Sequence, residues 1–259
     1  MNSVEFHRLV VAVALSAVRL SAAFSICPAL SDSMISGTAR RCAVLGFAAL
    51  CVPMVQEGMP PGDPYTPILL LIVLKETLLG LMLGFFASIP FWIAENIGNF
   101  IDNQRGATMG EVYSPLSGAQ VSTTGIFFTQ IVSTIFFVSG AVFLMLGAVY
   151  SSYQIWPVFG NFISPAPGSA TYLLGTVDSM MRTTVVISAP IIILMFLATI
   201  GLGFVNRTAP QLNVFFLSMP IKSALGIGML IIYLPFIIDK LMYTKEASVL
   251  EPVMKIFGG

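Results

Sequence analysis

Residues 68–94, ILLLIVLKETLLGLMLGFFASIPFWIA, decide the class of fold. Only Lys75 and Glu76 are charged in this stretch, and nothing in it alternates as a barrel strand would. In lipid such a chain must satisfy its own backbone hydrogen bonds, which makes it helical. Five further apolar runs repeat the pattern, at 9–30, 42–55, 126–150, 183–205 and 214–238. The expected fold is all-α: integral membrane-type helical hairpins with broken helices.

Composition agrees. Of 259 residues, 56% are hydrophobic and 9% charged, with twelve Lys and Arg against twelve Asp and Glu. Soluble domains carry roughly a quarter charged residues, so lipid or sister subunits must cover this chain. A balanced charge gives no electrostatic footprint for nucleic acid. Cys27, Cys42 and Cys51 lack metal or redox spacing and read as small buried hydrophobes. Arg8 followed by an apolar stretch imitates a leader peptide, but Arg19 interrupts it and the pattern resumes to residue 30, which favours a retained first helix.

The runs are uneven. At 1.5 Å per residue, residues 42–55 reach only about 21 Å of the roughly 30 Å hydrocarbon thickness, as a half-span or one arm of a hairpin would. Pro90, Pro190, Pro220 and Pro235 lie inside apolar runs and predict kinks or breaks. Gly80 and Gly84 have GxxxG spacing, for which ordinary tight helix packing is favoured over a dimer motif. The segment 151–171 is rich in Pro and Gly but has no charge, as a loop packed on partner protein would be. Five cations on one side and four on the other leave the orientation undecided.

Charges inside apolar runs are the first functional candidates, because an ionisable group in hydrocarbon needs a partner or water. They are Arg19, Lys75, Glu76 and Lys222. Lys75 and Glu76 are adjacent, hence about 100° apart on a helix, and each requires a partner elsewhere. Structural salt bridges are favoured over an ion path, since no carboxylate series follows successive helices. Lys222, two residues after Pro220, has freed carbonyls within reach. Catalytic arrangements fare poorly: the single histidine is His7, and no zinc, nucleophile-elbow or phosphate-loop motif occurs. No catalytic residue, metal or cofactor is expected.

The most unusual region is 95–125, ENIGNFIDNQRGATMGEVYSPLSGAQVSTTG. It gathers four charges and five glycines between apolar walls, and Gly106, Gly110, Pro115 and Gly118 should stop a regular helix. Irregular backbone at membrane depth is tolerated where it is buried in protein or lines a cavity. Met109, Val112, Tyr113 and Leu116 are suited to sealing a constriction. Beyond it, residues 112–177 carry no formal charge.

Two separated motifs bear a family resemblance. Residues 102–110, DNQRGATMG, with 114–120, SPLSGAQ, and then 206–216, NRTAPQLNVFF, with 219–222, MPIK, resemble the SpaR/YscT/EscT family, the SctT subunits of type III secretion export gates, homologous to flagellar FliR. The resemblance spans essentially the whole chain, 1–259, as one subunit domain with a polar plug loop at about 95–125 and a C-terminal tail at 239–259. It implies a non-enzymatic subunit that joins SctR and SctS in a helical export-gate core. There it lines and seals a protein-conducting channel, within the basal body in the bacterial inner membrane. The SctU switch protein, the inner rod, unfolded secreted substrates and membrane lipid are the further implied partners.

Carried over residue by residue, the plug comprises Arg105, Gly106, Met109, Gly110, Val112, Tyr113, Pro115, Leu116 and Gly118. Asn206, Arg207, Pro210, Asn213, Phe215, Phe216, Pro220 and Lys222 form a packing element against neighbouring subunits. The flagellar branch tends to have Phe near the seal, where this chain has none between Phe100 and Phe127. Two other classes remain at this stage. One is an autonomous small-solute transporter using Lys75, Glu76 and Lys222; the other is an intramembrane enzyme using Glu95, Asp102 or Glu111.

Overall fold

A computed structural model describes residues 3–31, 34–60, 68–107, 122–160, 166–208, 211, 213–243 and 249–257. Among the described residues the chain is all-α. Its helices are α1 (Ser3–Ile26), α2 (Gly37–Glu57), α3 (Ile68–Arg105), α4 (Thr123–Val138), α5 (Ala141–Ile155), α6 (Ser169–Thr208), α7 (Val214–Tyr243) and α8 (Leu250–Phe257). Five of them, α1, α2, α3, α6 and α7, are long and apolar enough to cross a membrane.

Three expectations need correction. Helix α2 has 21 residues, about 31 Å, so it is long enough to span and is not a half-span, while its packing on α1 makes it one arm of a hairpin. Its first turn, with Arg40 and Arg41, lies ahead of the apolar run and was invisible to hydropathy. The run 126–150 is not one helix: α4 and α5 meet at a 72° bend. Gly140 sits there at φ +71°, a left-handed conformation that favours glycine, and its N–H donates to the Phe137 carbonyl. The interior prolines, by contrast, do not break α3, α6 or α7, which overturns the expected breaks but not the expected kinks. One missing donor is tolerated where the surrounding turns stay bonded and packed.

The residues group into two compact units, one of Met1–Ile89, Phe136–Gly175 and Ala247–Gly259, the other of Pro90–Ile135 and Thr176–Glu246. In the first, α1 and α2 pack as a hairpin, α5 packs on α2, and α8 packs on α5. Leu15, Phe24, Val55, Leu79, Leu83 and Met145 fill its core. Gly80 and Gly84 let α3 lie against α1: a Cβ on Gly80 would meet the Arg19 carbonyl oxygen, and one on Gly84 would stand 2.6 Å from the Ala23 carbonyl oxygen. The GxxxG pair therefore serves packing within the chain.

The second unit is built on the later half of α3. Phe91, Ala94, Ile97 and Ile101 recur at helical spacing and are buried, with Phe128 of α4 and Ile191 and Met195 of α6. This buried stripe carries the helix through the polar residues 95–105, so the irregular part of the region begins at Gly106 rather than at residue 95. Gly98 does not break α3. It lies against the backbone of Gly125 on α4, where a side chain would collide.

Large apolar side chains stand outward on both long C-terminal helices. On α6 Phe196 is 56% and Phe204 68% exposed; on α7 Phe216 is 67% and Ile232 78% exposed. Water is a poor neighbour for surfaces of this extent, which require lipid or protein cover.

Candidate functional site

Two polar constructions stand out within this apolar chain, one in each unit. In the first, Arg19 of α1 is wholly buried and faces Glu76 of α3 in a two-point ion pair, Nε to Oε2 at 2.7 Å and Nη2 to Oε1 at 2.9 Å. Its Nη1 donates to Ser152 Oγ at 2.8 Å, and Nη2 also donates to the Trp156 carbonyl at 2.9 Å. The guanidinium carbon lies 4.0 Å from the centre of the Tyr153 ring. Lys75 donates to the carbonyls of Pro157 and Val158 at 2.8 and 2.7 Å, and its ammonium is 3.7 Å from Glu76. The sequence alone left the partners of Lys75 and Glu76 open; Arg19 supplies that of Glu76, and the successive carbonyls of Pro157 and Val158 supply those of Lys75.

This network explains the uncharged segment after α5. Trp156 and Val158 are buried, the two cations take the carbonyls of 156–158, and Phe257 meets the Trp156 ring edge-on at 6.1 Å. Farther on, Ala166 N and Ser169 Oγ both donate to the Ile256 carbonyl, at 2.8 and 2.6 Å. Within 151–171 the chain's own α8 and buried cations thus cover Ser152, Tyr153, Trp156, Val158 and Ser169, while Gln154, Pro157, Gly160, Pro167, Gly168, Ala170 and Thr171 stay exposed. That cover comes from residues more than eighty positions away, which local pattern does not reveal.

The second construction stands at the base of the polar segment. Helix α3 ends in a Schellman motif: Gly106 N–H donates to the Asn103 carbonyl at 3.2 Å and Ala107 N–H to the Asp102 carbonyl at 3.0 Å, with Gly106 at φ +82°. The Asp102 side chain turns to the start of α4. Its Oδ2 accepts from Ser122 Oγ at 2.6 Å and Thr124 N–H at 3.0 Å, and its Oδ1 accepts from Thr124 Oγ1 at 2.5 Å; Arg105 Nη2 lies 2.8 Å from Oδ1 as an ion pair and donates to Thr124 Oγ1 at 3.3 Å. Ser122 Oγ in turn accepts from Gly125 N–H at 2.9 Å, capping α4. A carboxylate there also suits the positive end of the helix dipole.

Of the plug positions, Arg105 and Gly106 are described; Met109, Gly110, Val112, Tyr113, Pro115, Leu116 and Gly118 lie outside the described residues, as does Glu111. Gly106 sits beside Met219 of α7, where a Cβ would be 3.6 Å from the Met219 Cγ, so the two separated sequence motifs meet. In the packing element, Asn206, Arg207, Asn213, Phe215, Phe216 and Pro220 are exposed and Lys222 half-buried, and Pro210 lies outside the described residues. Sequence reasoning missed Gly98, Ser122, Thr124 and Gly125. A Ser-Thr-Thr-Gly start ahead of an apolar run is a recognisable N-cap signal that would have found three of them.

Comparison with known proteins decides the family. The profile of the bacterial export proteins, family 1, matches residues 10–246. The chain belongs to this family. It is 39% identical to the Yop proteins translocation protein T of Yersinia pestis over 83% of this chain and 82% of that protein. It is 28% identical to the surface presentation of antigens protein SpaR of Salmonella typhimurium, over 88% of this chain and 85% of that one. The flagellar biosynthetic protein FliR of Bacillus subtilis is 27% identical, with 93% of each chain aligned. The resemblance to the SctT family therefore holds, and this family member is a membrane-type component of a protein-export apparatus.

Proposed function

We propose that this chain is the SctT-type subunit of a type III secretion export gate, assembled with SctR and SctS, and that it lines and seals a channel for unfolded secreted substrates. The observation that carries the reading is the junction at Asp102. A polar, glycine-rich connection bearing Met109, Val112 and Tyr113 hangs from two helix ends drawn to one carboxylate, beside Met219 of the second family motif. Flexible and bulky apolar groups on a connection anchored at its base are suited to excluding water at rest.

The outward apolar faces of α6 and α7 fit burial by sister subunits, with residues 206–222 as part of that contact. At about 57 and 60 Å, helices α3 and α6 are also roughly twice the length that the hydrocarbon requires, which favours an assembly extending out of the bilayer plane. The subunit performs no bond chemistry; energy for export comes from elsewhere in the machine. Opening is a two-state displacement of the connection, biased by substrate or by the SctU switch protein and leading towards the inner rod. The place of action is the inner membrane, within the basal body.

Transport of a small solute by this chain alone fits less well, because the donors and acceptors of Lys75 and Glu76 are consumed by Arg19 and backbone carbonyls. An enzyme using Asp102 is disfavoured in the same way. Mild-detergent extraction with identification of co-purifying proteins tests the reading. Recovery with SctR and SctS is expected; a stable, transport-competent homo-oligomer would replace it.

A further inference from the structure

We propose that Lys222 is a docking point for a carboxylate: a helix of a neighbouring gate subunit lies along α7 and brings one Asp or Glu, set among apolar side chains, to the Lys222 ammonium. This rests on the export-gate reading above and names the chemistry of one of its contacts. Other cations with buried or half-buried side chains find acceptors, Arg8 on the Met59 carbonyl, Arg19 and Lys75 around Glu76, and Arg105 on Asp102. Among the described residues Lys222 is the only half-buried cation that forms no hydrogen bond or ion pair, and the carbonyl freed by Pro220 does not take it.

Its placement decides against water as the lasting partner. Ser218, Lys222 and Gly226 recur every four residues along the face of α7 that its own unit covers. Ser218 and Gly226 are buried, and a Cβ on Gly226 would stand 3.0 Å from Met195 Sδ of α6. The cation is thus rooted at the margin of a packed face. Exposed apolar side chains flank it along the helix, Phe215 and Phe216 before it and Ile231 and Ile232 after it. These need cover from lipid or protein, and the same cover takes water from Lys222.

Lipid alone fits poorly. Along the axis the two rings stand about 9–10 Å from Lys222 and the two isoleucines about 13–15 Å, whereas a headgroup layer is roughly 5–7 Å deep. With the ammonium at a lipid phosphate, one pair or the other would project past the headgroups into water. With both pairs in hydrocarbon, the ammonium would lie deep in it without a partner. A neighbouring helix covers both pairs at once. Its main-chain carbonyls are used in its own ladder, so the acceptor it offers is a side chain, and a carboxylate also balances the charge.

The test uses the complex co-purified with SctR and SctS in mild detergent and reads the rate at which those subunits dissociate. Lys222→Met is expected to speed dissociation at least about tenfold, because it strands the partner's carboxylate in an apolar contact. Lys222→Arg keeps the charge and should stay closer to the unaltered rate. Each Asp and Glu of SctR and SctS is then neutralised in turn to Asn or Gln, with and without Lys222→Met. One of these changes should weaken the Lys222→Met complex less than it weakens the unaltered one. Lys222→Met as tight as the unaltered complex overturns the proposal, as does Lys222→Arg as weak as Lys222→Met, or the absence of any carboxylate with this coupling. Loss of bound anionic phospholipid from Lys222→Met, with the subunits still held, replaces the proposal with a headgroup site. An unaltered chain that purifies without SctR and SctS overturns the export-gate reading itself, and this contact with it.

Discussion

Arg19 and Glu76 lie side by side as a fork and a carboxylate, both with no exposed side-chain surface, 57 residues apart in the chain. The pair joins α1 to α3, and the remaining donors of Arg19 carry the link to α5 through Ser152 and Trp156. Removing one partner strands the other charge in an apolar interior. Glu76→Gln should cost about 3–5 kcal/mol of stability, while Arg19→Met combined with Glu76→Leu should recover most of that loss. The unfolding midpoint of the detergent-extracted complex checks both, and a double variant worse than the single would contradict the pairing.

Close helix packing makes a second contrast. Gly80→Ala forces a methyl onto the Arg19 carbonyl and the Ala22 Cβ, backbone and side chain of a buried helix that have little room to yield. A loss of about 1–3 kcal/mol is expected. Gly147 on α5 has nothing within 4 Å of an added Cβ, so Gly147→Ala should be neutral or gain up to about 1 kcal/mol from helix propensity. Paired melting curves of the two variants decide it; equal effects would count against the α1–α3 contact.

Thiol chemistry reports on the turn after α1. Burial raises the Cys27 pKa from 9.0 to about 11, and the smaller opposing effects of hydrogen bonds do not cancel it. The folded state thus holds this proton more tightly than the unfolded chain. Cys27 contributes its full stability below pH 9, and that contribution is lost as the pH rises from 9 through 11. At pH 8 a maleimide should modify exposed Cys42 and spare Cys27 and Cys51 until the protein is denatured. Mass spectrometry of the labelled peptides gives the answer, and early Cys27 labelling would contradict its burial.

The C-terminal helix should guard the segment that it covers. Val253 is fully buried, so Val253→Asp places a charge against the apolar side of α8 and should detach it. Each 1.4 kcal/mol lost raises the open population about tenfold, and chymotrypsin cleavage after Phe159 should accelerate accordingly. Trypsin is the internal control, because residues 112–177 contain neither Lys nor Arg. Unchanged chymotrypsin kinetics would mean that α8 does not protect this segment.

The long helices were legible because burial or lipid exposure on every side demands uninterrupted apolar sequence, as in α3 from Ile68 onward. Hydropathy failed where the determinant was not apolarity. Polar residues 95–105 stay helical through a narrow buried stripe, the α4–α5 bend depends on a left-handed glycine, and α2 begins in a charged turn. The buried charges were identifiable individually, but their partners were not, since Arg19 and Trp156 are 137 residues apart. Asp102 stood inside a recognisable motif, while the need for Ser122 and Thr124 opposite it arises only when two helices meet at Gly98 and Gly125.

Ion conductance of membranes holding the assembled complex tests the sealing function most directly. With residues 106–118 deleted and the partner subunits still co-purifying, resting conductance to small ions should rise clearly above that of the unaltered complex. An assembled complex as tight without those residues as with them would contradict the assignment of this connection as the seal.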